Sequence, residues 1–463
     1  MKCSGQDRLA KAPEAGKALG WPNITIGGRA VARTLIVFLR YPEPGRVKTR
    51  LAAGMGAAPA AAFYERLLRR TLGIVADFWE NHRDVEIVLF FDPMEREAEV
   101  RWAFPGPWRF VAQPSGHLGE RMRAACDLGS GQAERHSVVI GCDIGDLQSA
   151  DLDDAFRALN HCDAVLGPAR DGGFYLIGLA RRCDAVFLPA SWGGSEVCGR
   201  ALATLQREGL TVALGKERND IDRVEDLMRL PGRDYFDRRV AIIIPFLGSP
   251  SRLEKLLEFL EPQLWPADEI ILVSGEGLPG TATCRISART RMVRARRGRG
   301  LQLNCGVRES RSDLLWFLHE DSTPPPNFAY HVRKLVLSQH HSLGCFRLAF
   351  DGHSRALALI ARWANIRTSI LQLPYGDQGI FCERATYDQL NGFRRAYIME
   401  DVDFVRSARR LGKLLIIPQP LRTSPARYVK CGILRASLVN HLLFGLYLAG
   451  IDDRKLYSWY YRC

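Results

Sequence analysis

The chain of 463 residues has no CxxC pair and no HxxxH or HExxH spacing, although it holds 12 cysteines and 10 histidines. Scattered single cysteines make neither a disulfide framework nor a structural zinc site, and they fit reduced thiols in a cytoplasmic protein. No run of about 18 uninterrupted apolar residues occurs, which leaves no candidate membrane-spanning helix. Residues 1–33 lack the apolar stretch of a secretory signal and read as a flexible N-terminal extension. What is present is ordinary globular material, 47% apolar and 25% charged, enough for two cores. At roughly 150 residues per domain the length suggests two or three domains. Lys and Arg outnumber Asp and Glu by 64 to 51, a net charge of +13.

Apolar runs alternate with helical patterns along the first half. Thr34–Leu39 reads as a buried strand, Ala60–Trp79 as a helix, and Val85–Phe91, Arg109–Ala112 and Ser137–Gly141 as further strands. The pattern breaks at Pro231-Gly232-Arg233-Asp234 and restarts with the strand Val240–Pro245. The helix Ser251–Leu260 and the strands Glu269–Val273 and Asp313–Leu318 follow. Continuous apolar strands separated by helices predict mainly parallel sheets covered on both faces. The expected architecture is α/β: two tandem domains, at 34–232 and 238–463.

In each half one strand runs straight into acids, Asp143 and Asp146 in the first and Glu320 and Asp321 in the second. Ligands of open α/β sheets gather at the carboxyl ends of strands. The alternative is that Asp143 and Asp321 cap the turn or helix that follows. After the first strand, Pro44-Gly45 forms a tight loop, and Lys48 and Arg50 then enter a helix N-terminus, a natural place for phosphate. Asp171-Gly172-Gly173 either lets backbone approach a ligand closely or is a plain hairpin turn. Asp220 and Asp222 share a face if the segment is extended, and with Asp143 they can share a divalent cation.

Together with Gly116-His-Leu-Gly119-Glu120-Arg121 and Gly141-Cys-Asp143, these residues resemble the radical-SAM/selenodomain-associated transferase 1 family across Leu35–Leu230. The resemblance implies a GT-A-like nucleotide-binding domain related to nucleotidyltransferases. The chain departs from that pattern at Arg40, where Lys is usual, and at Gly145-Asp146, where Pro usually follows the acid.

In the second half, seven arginines fall between Arg285 and Arg299 and run into Gly298-Arg299-Gly300-Leu-Gln302-Leu-Asn304. Such a cluster suits a nucleotide diphosphate, a solvated surface or nucleic acid; without interleaved aromatics or a recognition module, nucleic acid is not expected. His319-Glu320-Asp321, Gly376-Asp377-Gln378, Asn391-Gly392-Phe393 and Glu400-Asp401 follow in order. This order resembles glycosyltransferase family 2, in its radical-SAM/selenodomain-associated transferase 2 branch, across Arg239–Tyr461. The resemblance implies a sugar-nucleotide-dependent, inverting transferase using Mg²⁺ or Mn²⁺. It makes Asp321 and Glu320 metal ligands and Asp401, with Glu400, the base for the acceptor hydroxyl. Pro245, Glu276, Arg297, Arg299, Gln302 and Asn304 become donor contacts, and Gly376, Asp377 and Gln378 the acceptor side. Ser274 stands where the family usually has a nucleoside-binding Asp. The apolar segment Ile433–Gly450 either packs on its own domain or lies on a membrane surface near a lipid acceptor.

Overall fold

The computed structural model describes residues 24–26, 29–128, 135–188, 196–230, 233–247, 250–275, 284–337, 340–352, 354–396 and 398–460. The expected strands form two sheets, one from each half of the chain. Across the first sheet the order is Arg109–Ala112, Val85–Asp92, Arg29–Arg40, Arg135–Gly141, Phe174–Leu179, Ala164–Pro168 and Val212–Leu214, with Ile24–Ile26 paired to Arg29–Arg40. The four strands from Arg109–Ala112 to Arg135–Gly141 are mutually parallel, while Phe174–Leu179 runs against its neighbours and Ile24–Ile26 against Arg29–Arg40. Register places Arg40 opposite Asp92 and Phe38 opposite Gly141, so three strands release their chains at one edge.

The second sheet runs Cys284–Arg285, Thr290–Arg294, Glu269–Ser274, Val240–Phe246, Leu314–Phe317, Phe381–Glu383, His341–Phe350, Lys413–Thr423 and Ser322–Thr323. Its central strands Thr290–Arg294, Glu269–Ser274, Val240–Phe246 and Leu314–Phe317 are parallel, as continuous runs such as Val240-Ala-Ile-Ile-Ile require. The fold class is therefore the expected one, two mixed and mostly parallel α/β sheets in tandem.

The extension expected through residue 33 is shorter than that. Backbone from Arg29 onward is already strand: Arg29–Val31 pairs with Ile24–Ile26, Ala32 with Arg135 and Arg33 with Val85. Residues 1–23 lie outside the described residues.

The two halves share apolar packing. One hydrophobic cluster runs from Leu35 and Phe78 through Tyr235, Phe236 and Trp265 to Tyr330 and Leu421. The helix Ala57–Asn81 packs against the helix Phe328–Arg333 at Gly73, where an added Cβ would lie 2.3 Å from the Tyr330 ring. One turn on, Asp77 accepts hydrogen bonds from Tyr330 Oη (2.9 Å), Lys334 Nζ (2.5 Å) and Gln419 Nε2 (2.8 Å). Fully burying a Phe-sized side chain stabilises by about 1.5–3 kcal/mol, so Phe236 and Trp265 make this seam part of the folded state.

Candidate active sites

The first site lies at the carboxyl edge of the first sheet. A cavity of about 800 Å³ is lined there by Arg40, Lys48, Arg50, Asp92, Asp143, Asp171, Gly173 and Asp222, among others. The loop after Arg40 brings Lys48 into left-handed backbone (φ 46°) just before the short helix Thr49–Met55. Its Nζ then lies 3.2 Å from Asp143 and 2.7 Å from Asp222, while Arg50 reaches Asp222 at 3.2 Å. Backbone pairing explains how residues so distant in sequence meet. Gly145 N donates to Asn219 O and Ile221 N to Asp143 O, stitching the two acid segments side by side. Asp146 holds that stitch, accepting from Asn219 N (2.9 Å) and Nδ2 (2.7 Å).

Electrostatics follow from this packing. Burial alone would lower the Lys48 pKa, but Asp143 and Asp222 outweigh it and hold the ammonium above its usual value. Asp222 is held below the usual carboxylate range, its burial outweighed by Lys48 and Arg50. Asp220 is pushed up to about 6 by burial and by the like charges of Asp171, Asp143 and Asp222. Asp171 and the glycines do form the turn between Ala164–Pro168 and Phe174–Leu179. Asp171 Oδ1 accepts from Gly173 N at 2.8 Å, and Gly172 has φ +89°. The hairpin and the cavity wall are one feature here.

The second site lies at the carboxyl ends of Val240–Phe246 and Leu314–Phe317. Burial raises the Asp321 pKa, and His319 Nδ1 lies 3.9 Å away. His319 also contacts Arg299, and burial together with that guanidinium drives its pKa well below 6.5. Arg299 Nε reaches Glu400 Oε1 at 3.3 Å. Glu400 is buried, and burial, partly offset by Arg299, raises its carboxyl to about 7. Asp401 accepts from Gly376 N through Oδ2 (2.7 Å) and from Val402 N through Oδ1 (2.9 Å), which ties the 376–378 turn to the helix Glu400–Ala408. Asp377 is raised to about 6, first by burial, with Asp401 and Asp321 adding to it, and its Oδ1 is buried without a hydrogen-bond partner.

Some expected contacts are committed within the fold. Gln302 Nε2 donates to Val273 O (2.8 Å) and Phe246 O (3.3 Å), joining two strand ends. Asn304 holds the turn at Gly392, donating to Phe393 O and accepting from Phe393 N and Tyr387 Oη. Gln378 is fully buried between Thr368 and Phe346 O. Arg297 is exposed, Pro245 pairs with Val273 in register, and Glu276 lies outside the described residues. Among the described residues no group of three or more His, Cys, Asp or Glu side chains is set to hold a metal ion.

Comparison with known proteins follows this division. Residues 241–387 match the model of glycosyl transferase family 2, and residues 76–194 match DUF2064, described as an uncharacterized protein conserved in bacteria. The two matches fall in different halves of the chain. A proposed nucleotide-diphospho-sugar transferase from Desulfovibrio desulfuricans G20 is 32% identical over 42% of this chain and 85% of its own, with a TM-score of 0.39. The mannosyltransferase PcManGT from Pyrobaculum calidifontis, solved with GDP-Man and Mn²⁺, is 17% identical over 48% of this chain and 69% of its own, with a TM-score of 0.36. No curated protein matches the chain.

In the DUF2064 half, the sequence reading passed over Asp92, which ends the strand Val85–Asp92 and lines the cavity beside Asp143. Its partners Arg40 (3.1 Å) and Arg121 (3.4 Å) place two further cations at the same rim. The rule that selected Asp143, an acid at the end of an apolar strand, selects Asp92 equally. In the glycosyl transferase family 2 half, Asp401 and Glu400 lie beyond the matched residues 241–387, yet the fold returns both to Arg299 and Gly376 inside that span.

Proposed function

We propose that the chain is a metal-dependent glycosyltransferase that moves a sugar from a nucleotide-sugar donor to a hydroxyl acceptor, with inversion, in its second half. The observation that carries this reading is the gathering of Asp321, Asp377, Glu400 and Asp401 about Arg299, at the strand ends of the half that matches glycosyl transferase family 2. Transfer needs positive charge against the leaving diphosphate and a carboxylate beside the acceptor. Arg299, with Arg297, provides the first from the chain itself. Asp401 accepts the acceptor's proton, and its bond to Gly376 N fixes the carboxylate while that happens. Glu400, protonated more readily than an ordinary acid, keeps Arg299 in place.

The residues present fit a divalent ion. Asp321 and Glu320 offer hard oxygen ligands, Asp377 has an unpartnered buried oxygen, and Mg²⁺ is commonly held by one or two carboxylates plus substrate phosphates rather than by an all-protein cage. Bound there, Mg²⁺ or Mn²⁺ would supply further neutralisation of the diphosphate.

The first half supports a second reading. Its cavity of about 800 Å³ has room for a nucleotide, and Lys48, Arg50, Asp171 and Gly173 are among its lining. Asp143, Asp220 and Asp222 would be the metal ligands of that reading, and the burial and like charges that raise Asp220 suit a cation. On it, this half either makes the activated donor by nucleotidyl transfer or binds nucleotide as a regulator. Pyrophosphate release from nucleoside triphosphates separates the two.

The deciding test measures the thermal shift produced by a panel of nucleotide sugars with Mn²⁺. Asp321→Ala is expected to abolish the metal-dependent shift. A donor affinity unchanged by that substitution, with and without Mn²⁺, removes Asp321 from the site.

A further inference from the structure

The helix Arg355–Leu371 is built the wrong way round for a core element. Its inner face buries Leu357, Ala361, Ala364 and Thr368, mostly small residues. Its outer face exposes Leu359 (65%), Trp363 (56%), Ile366 and Ile370 (73%), at positions i, i+4, i+7 and i+11, which form one stripe. Trp363 Nε1 donates to His441 Nε2 at 3.1 Å, and the helix Ile433–Leu448 continues the apolar surface with Leu438 (71%) and Leu442 (58%). An exposed apolar surface of this extent marks an interaction site.

Charge says what covers it. Neither helix contains a single Asp or Glu. Arg355 and Arg362, both exposed and seven residues apart, flank the stripe on one side. With Arg347 and Arg422 they line an open groove of about 880 Å³ between this helix and the strand His341–Phe350. Exposed Arg435 precedes Leu438 on the second helix. A second copy of the chain would set this all-basic surface against itself. An apolar stripe bordered by arginines matches acyl chains below and anionic headgroups beside them.

We propose that the outer faces of helices Arg355–Leu371 and Ile433–Leu448 dock the protein on an anionic lipid bilayer. Among the described residues no helix is long and apolar enough to cross one, so the contact lies in the plane of the interface. Binding is read without donor or turnover, so the proposal stands apart from the transferase reading.

The test is co-sedimentation of the full chain with phosphatidylglycerol/phosphatidylethanolamine vesicles against pure phosphatidylcholine vesicles. The anionic vesicles are expected to bind at least about tenfold more protein, and less as salt rises. Leu359→Ser with Ile370→Ser should lose about tenfold with an unchanged melting temperature, since both side chains are exposed. Arg355→Glu with Arg362→Glu should lose binding to the anionic vesicles. Equal binding by parent and variants, or no preference for anionic lipid, overturns the proposal. So does a dimer seen by light scattering that the double serine variant dissolves, which would make the face an interface between copies.

Discussion

Asp143 and Asp222 at the edge of the first sheet close on the ammonium of Lys48, whereas at the edge of the second sheet Arg299 stands to one side, bound to Glu400 and His319, and Asp377 keeps a buried oxygen unpartnered. Both edges crowd carboxylates where parallel strands end. The first sets Lys48 between two of its acids, Asp143 and Asp222, and the second leaves Asp377 Oδ1 without a hydrogen bond. A metal bound at these acids would compete with Lys48 in the first half, and in the second with Arg252, Arg367 and Arg299. Placement of acids by topology is common to both, but the state of charge is decided by one or two cations delivered from loops.

The largest way to break this comparison is at Asp401. If it is the base, Asp401→Asn should lower transfer by about 10²- to 10⁴-fold, roughly 3–5 kcal/mol of barrier. The amide keeps one acceptor oxygen and loses one of the two bonds to Gly376 and Val402, so stability should fall by only about 1 kcal/mol. Transfer rates and melting curves on the same sample check both numbers, and turnover within threefold of the parent assigns the base elsewhere.

Next comes the seam that joins the two regions. Gly73→Ala drives a methyl group into the Tyr330 ring and should cost about 1–3 kcal/mol in denaturant unfolding. The expectation that the halves, cut between Leu230 and Arg239, fold separately meets the same seam, because each piece would expose part of the shared cluster. A Gly73→Ala chain as stable as the parent would show that the helices part easily and would favour independent halves.

Lys48→Met sharpens the electrostatic contrast. It removes the ammonium from between Asp143 and Asp222, at about 1–2 kcal/mol once their partial exposure is discounted. Mn²⁺ should then raise the melting temperature of the variant more than that of the parent, since the acids are released for a metal. Equal Mn²⁺ responses would mean that Lys48 does not occupy a cation position.

The smallest effect is one of slope. Glu400 binds its proton more tightly in the fold, with a pKa of about 7 against an ordinary 4.5. The folded state thus holds more protons than the unfolded one between those values, and stability declines as pH rises through that window. Glu400→Gln should flatten this part of a melting-temperature profile. A profile with the parent's slope would place the titration on another group.

Much of the fold is legible in the sequence because buried parallel strands are continuous apolar runs: Leu35–Val37, Val138–Ile140 and Val240–Ile244 are all buried in the sheets they predict. The long strands His341–Phe350 and Lys413–Thr423 are not, since Gly344 interrupts one, and Pro418 and Pro420 break the other at a register shift. The acids at strand ends are likewise legible, but their partners are not. Lys48 meets Asp222 across 174 residues, and only the pairing of 143–145 with 219–221 brings them together. Periodicity also shows that the helix Arg355–Leu371 has an apolar stripe without showing that the stripe faces outward.

The grip on Asp77 bears on the order in which the molecule assembles. Its three donors stand 253, 257 and 342 residues along the chain, so each bond closes a loop longer than either sheet needs for its own strands. Loop-closure entropy grows with loop length, so this junction is expected to close after the strands of each sheet have paired. Until Tyr330, Lys334 and Gln419 are presented together, the helix Ala57–Asn81 has its first-half packing but lacks these three partners for Asp77.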